Sequence, residues 1–94
     1  MNAEIKIIES RDGLDWTSYG NAVDVRKKLF AVMTSGSRQH YLAIEKDGKR
    51  TTTTFGGNNS IWEIRRDRLN KKITDAEIEI LANNMAEKMI KEVA

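Results

Sequence analysis

The sequence predicts an α+β domain: a small three-stranded sheet with helices packed on one face, in the order β-α-β-β-α-α. Three observations predict it. Asp47-Gly48 lies between two strand-like runs, a capping box opens a long amphipathic segment at the C-terminal end, and neither proline nor a shift in composition divides residues 1–94. A chain of this length suits one domain with a modest core.

The first element is "EIKIIE", residues 4–9, short and isoleucine-rich as a strand requires. "RDGLDWTSYGN" follows. Its Asp12-Gly13 and Gly20-Asn21 pairs predict a turn-rich loop whose aromatics, Trp16 and Tyr19, pack back onto the core. In "NAVDVRKKLFAVMTSG", Ala22, Val25, Leu29, Val32 and Met33 fall on one helical face, widened by Val23 and Phe30. Asn21 is placed to cap that helix and Gly36 to end it. The continuous apolar run "LFAVM" would equally allow a strand over 28–34, but the N-terminal cap and the periodicity favour the helix.

"QHYLAIEKDGKRTTTTF" is the clearest signal. A two-residue hairpin turn needs positive φ at both central positions, which Asp and Gly tolerate. Leu42 and Ile44 point to one face and Tyr41, Ala43 and Glu45 to the other, while β-branched threonines favour an extended return strand. "GGNNS" then breaks the strand. At the C-terminal end Thr74 and Glu77 form a capping box, and Ile78, Leu81, Met85, Met89 and Val93 recur at helical spacing, with Ala82 and Ala86 filling the same face. Ile80 falls off that stripe.

Residues 60–72, "SIWEIRRDRLNKK", are the most pointed stretch. As a helix, Ser60 caps it with Glu63 at the third position, and Ile61, Ile64, Leu69 and Trp62 form a broad apolar arc. Arg66 faces outward, but Arg65 and Arg68 fall inside the arc. They must therefore snorkel, pair with an acid or border a binding surface, because burying an unpartnered guanidinium costs several kcal/mol. A strand alternating Trp62, Ile64, Arg66 against Ile61, Glu63, Arg65 is the competing reading. The cap favours the helix.

Several chemistries are excluded or unsupported. With no cysteine there is no disulfide scaffold, thiol nucleophile, iron–sulfur cluster or Cys-ligated zinc. His40 is the one histidine, so a metal site would rest on carboxylates, and no EF-hand spacing is present. "FGGNNS" lacks the lysine of a phosphate loop, and Glu77 and Glu79 diverge by about 200° on a helix of 3.6 residues per turn. The expectation is a non-enzymatic protein with no cofactor. No apolar run is long enough to span a bilayer and no leader precedes the first strand, so no membrane contact and a cytoplasmic location are expected.

Charge patterning points to binding. Residues 1–25 carry two basic residues against five acids, residues 26–74 twelve against four, and residues 75–94 two against five. A basic middle between acidic ends predicts a nucleic-acid partner or an acidic protein, or else ends that fold back and cancel the middle. The candidate contact residues are Arg65, Arg66, Arg68, Lys71 and Lys72, then Arg38, Lys49 and Arg50 around the hairpin, with His40 and Tyr41 to stack. Lys27, Lys28 and Lys46 read as solubilising charges.

Two functions are expected from this layout. The first is a binding domain in nucleic-acid biology that contacts nucleic acid through the basic centre. The second is an inhibitor or adaptor, of the kind carried by phages and mobile elements, that binds a nucleic-acid-processing protein. The contact surface of that second function would be Ile80 with Asn83 and Asn84, or Met85 and Met89 if left uncovered, and a homodimer through the last helix is a subsidiary expectation. A continuous basic patch would favour the first function, and acids of the last helix laid across that patch would favour the second.

Overall fold

The computed structural model describes residues 5–10, 16–21, 25–35, 41–53 and 60–94. Its elements run β1 (Lys6–Ser10), β2 (Trp16–Asn21), α1 (Val25–Met33), β3 (Tyr41–Lys46), β4 (Lys49–Thr52), α2 (Ile61–Leu69) and α3 (Asp75–Val93). All strand pairs are antiparallel, in the order β2-β1-β3-β4. The expected α+β class, the Asp-Gly hairpin and the helices on one sheet face are all present.

The sheet has one strand more than the sequence predicted. The segment read as a loop with Trp16 and Tyr19 is β2, which pairs with β1 from Ser10↔Trp16 to Lys6↔Asn21. Trp, Thr and Tyr favour strands, but Gly20-Asn21 looks like a turn. A register irregularity between Lys6 and Ile8 resolves the conflict, because an extra residue opposite β1 is a bulge and glycine is at home in one. Asn21, expected to cap α1, instead ends β2. Residues 11–15, 22–24, 36–40 and 54–59 lie outside the described residues, and with them the expected Asp12-Gly13 turn and the Gly36 helix stop.

The central hairpin follows the sequence. Asp47 and Gly48 have φ of 52° and 79°, the paired positive values of a type I′ turn, and Lys46 faces Lys49 across it. β4 stops at Thr52, yet the ladder continues by one rung. The Leu42 N–H donates to Thr53 Oγ1 at 3.1 Å, and the Thr53 N–H donates to the Leu42 carbonyl at 2.8 Å. The buried Thr53 hydroxyl thus takes the place of the carbonyl that a longer strand would offer.

One apolar cluster joins the layers. Ile7, Leu42 and Ile44 come from one sheet face, Val25, Leu29, Val32 and Met33 from α1, Ile61 and Ile64 from α2, and Ile78, Ala82, Ala86, Met89 and Val93 from α3. Ile8 and Ala43, paired with each other, point to the opposite face and are buried as well, so the sheet is covered on both sides at its centre. The predicted α3 stripe is the buried one, with Leu81 and Met85 half-buried at its margin. Met89 therefore belongs to the core and Met85 packs against it.

Both later helices are capped as expected. Thr74 Oγ1 accepts from the Glu77 N–H at 3.2 Å while Glu77 Oε1 accepts from the Thr74 N–H at 3.2 Å, a complete capping box. Ser60 Oγ accepts from the Glu63 N–H at 3.2 Å, and residues 61–69 are helical, which decides between the helix and strand readings. α2 ends in a Schellman motif: Lys71 N–H donates to the Arg68 carbonyl and Lys72 N–H to that of Asp67, at 3.1 and 2.8 Å.

That motif places a left-handed residue just past the helix, and Lys71 occupies it at φ 58°. Glycine fills such a position without a Cβ penalty. Lys71→Gly is therefore expected to stabilise the fold by roughly 0.5–1 kcal/mol despite glycine's greater freedom in the unfolded chain. Urea denaturation would measure this as a higher midpoint at constant slope.

Candidate functional site

The site grows out of a mismatch on α1. A helix carries partial positive charge at its N-terminus and partial negative charge at its C-terminus. α1 has the reverse side-chain layout, with Arg26, Lys27 and Lys28 in its first turn and no basic residue in its last. Its terminal carbonyls therefore lack a cation of their own. Thr34 satisfies part of this end, its hydroxyl donating to the Phe30 carbonyl at 2.9 Å.

α2 supplies the rest. Arg65 Nε donates to the Val32 carbonyl at 2.7 Å, and Arg68 Nη1 reaches the Thr34 carbonyl at 3.5 Å. Arg68 also donates through Nε to Asp75 Oδ1 at 2.8 Å, at the first turn of α3. Burial lowers the Arg65 pKa from its ordinary value, whereas the Asp75 hydrogen bond and charge raise that of Arg68. The same hydrogen bond holds the Asp75 carboxyl below its usual range. These two arginines clamp α2 to the end of α1 and the start of α3.

The opposite side of α2 is different. Trp62, Arg66 and Leu69 sit at i, i+4 and i+7, a single stripe, with Trp62 50% and Leu69 79% exposed. The Arg66 guanidinium lies over the Trp62 ring, 5.3 Å from its centroid. Lys71 and Lys72, both exposed, follow in the turn that closes the helix. The apolar arc read from the sequence is thus narrower than expected. It is centred on Ile61 and Ile64 and flanked by Arg65 and Arg68, while Trp62 and Leu69 fall outside it.

The hairpin cations form a separate group. Arg50 donates from Nε and Nη2 to Glu45 Oε2, its cross-strand partner, at 3.1 and 2.9 Å. Lys49 Nζ donates to the Ala94 carbonyl at 3.1 Å, and the Thr51 hydroxyl bonds Glu92. Arg68 meets the first residue of α3 and Lys49 meets the residue just past its end. The two groups are therefore separated by most of a 19-residue helix, about 27 Å at 1.5 Å per residue. They do not share one site.

Tyr41 opens β3, half-buried opposite Ser10, while Arg38 and His40 lie outside the described residues. Of the acids on α3, Asp75 engages Arg68 and Glu87 approaches Arg26 at 3.8 Å. Among the described residues the basic middle is thereby divided, its α2 and hairpin cations held at opposite ends of α3. Ile80, off the α3 stripe, is exposed.

Sequence reasoning named the cations of α2 but missed Trp62 and Leu69 as surface residues. The available signal was the reversed charge layout of α1. A C-terminus lacking its own cation draws in Arg65 and Arg68, and that contact rolls α2 until Trp62 and Leu69 face out.

Among the described residues no helix is long and apolar enough to cross a membrane, and no group of three His, Asp or Glu side chains is placed to hold a metal. Comparison of the chain with protein-family models, with curated proteins and with solved structures gave no match, so the site's own chemistry carries the functional reading.

Proposed function

We propose that the protein is a non-enzymatic binding domain that contacts nucleic acid through the outward stripe of α2. One observation carries this reading: Arg66 lies over the exposed ring of Trp62, and exposed Lys71 and Lys72 follow in the turn that closes the same helix. The other basic residues of the segment, Arg65 and Arg68, are spent on the fold. Phosphates need cations free to meet them, and bases need an aromatic or planar surface.

The reading makes a quantitative prediction about salt. Three phosphate contacts on a single strand give a slope of about −2 for log K against log salt, so affinity falls roughly 20-fold between 50 and 200 mM. Use of all twelve basic residues of the middle would give a slope nearer −8. Fluorescence anisotropy with mixed DNA and RNA oligonucleotides would measure this. Absence of binding at low salt would sink the proposal.

A second reading has its own support. Leu69 offers nothing to a phosphate, and a Trp-Arg-Leu stripe at i, i+4 and i+7 is also how a helix enters the groove of a protein. The acids that α3 lays against Arg68 and Arg26 weigh the same way. On that reading the domain is an inhibitor or adaptor of a nucleic-acid-processing protein, and the same stripe is its contact surface.

A further inference from the structure

We infer that the α2 stripe takes single-stranded nucleic acid and rejects duplex, with Trp62 as the platform on which an unpaired base stacks. The inference rests on the nucleic-acid reading above and goes further by choosing the strand state. Two features of the geometry decide it. A duplex is gripped along its phosphates by a long run of cations, and α3 has divided the basic middle, leaving the hairpin group some 27 Å from the α2 group. What remains is a short cluster, too small to track a double helix.

The second feature is the aromatic ring itself. In a duplex the bases are stacked on one another and meet no side chain on a convex helix surface, so Trp62 would gain nothing from it. A single strand can swing one base out, and every base presents a π-face to an aromatic ring. Trp62 is half-exposed and Arg66 already lies over its ring, so the base completes a stack begun by the guanidinium. The helix rises about 10–11 Å from Trp62 to Leu69, and Lys71 and Lys72 follow in the turn that closes it, placed for phosphates of the same strand a few nucleotides away.

The test compares a fluorescein-labelled dT15 strand with a labelled 15-base-pair duplex, by anisotropy at 50 mM salt, for the full chain and four variants. The unmodified protein is expected to bind dT15 at least 10-fold more tightly than the duplex. Trp62→Ala is expected to weaken dT15 binding roughly 10–100-fold, the loss of one stacked base, while Trp62→Phe keeps most of the affinity. The triple change Arg66→Ala, Lys71→Ala and Lys72→Ala is expected to abolish binding. Far-UV circular dichroism confirms that the variants remain folded, and Leu69→Ala serves as the exposed apolar control, changing affinity less than 3-fold.

Equal affinity for both strand states, or an unchanged affinity in Trp62→Ala, overturns the single-strand inference while the triple variant's loss keeps the nucleic-acid reading. No binding of either probe overturns both. A loss in Leu69→Ala as large as that in Trp62→Ala also overturns the inference, because that pattern belongs to a protein groove.

Discussion

Ile64→Ala is expected to cost about 2–4 kcal/mol of stability, whereas Leu69→Ala on the same helix is expected to stay within about 0.5 kcal/mol. Ile64 is 2% exposed and sits in the cluster that joins α2 to α1 and α3; Leu69 is 79% exposed. Removing three carbons from the first leaves a cavity that the neighbours fill only in part, so both transfer energy and packing are lost. Removing them from the second only changes solvated surface. For a domain of this size each kcal/mol moves the melting temperature by about 4–8 °C, so the two variants separate by roughly 10–25 °C in a thermal scan.

This pair tests the orientation of α2 directly. Both residues belong to the apolar set that the sequence places on one arc. If α2 were rolled so that Leu69 faced the core, the two losses would be alike and Trp62 would be buried with it. The candidate surface would then vanish. Unequal losses keep Trp62, Arg66 and Leu69 outside, where the binding measurements need them.

Which parts of the molecule were legible beforehand follows from how local their causes are. The Asp47-Gly48 turn, the Thr74–Glu77 box and the α3 stripe each depend on residues within a few positions of one another, and each stands as read. β2 was hidden because its strand signal, Trp16 to Tyr19, runs into Gly20. Only the partner strand shows that Gly20 lies within a strand at a register irregularity rather than at a turn. The roll of α2 was hidden for a longer-range reason. It depends on carbonyls at the end of α1, more than thirty residues away in the chain, and those pull on Arg65 and Arg68. Helical periodicity places two arginines beside Ile61 and Ile64 but cannot say which margin of the arc is wet.

Arg65→Ala is accordingly expected to destabilise the domain by about 2 kcal/mol and Arg65→Met by about 1 kcal/mol, whereas Arg66→Ala changes stability by no more than a few tenths. The Arg65 head donates to the Val32 carbonyl at 2.7 Å, and its stem lies half-buried between α2 and α1. Methionine keeps a stem of similar length and loses the guanidinium, with its hydrogen bond to Val32 and its charge at the α1 C-terminus. Alanine loses the packing too, so the difference between the two variants isolates the stem. In the anisotropy assay the order inverts: Arg66→Ala weakens oligonucleotide binding while Arg65→Met leaves it within about 2-fold, because only Arg66 faces the strand. An Arg65→Met variant that is fully stable but unable to bind would assign Arg65 to the partner surface and remove the clamp that orients α2.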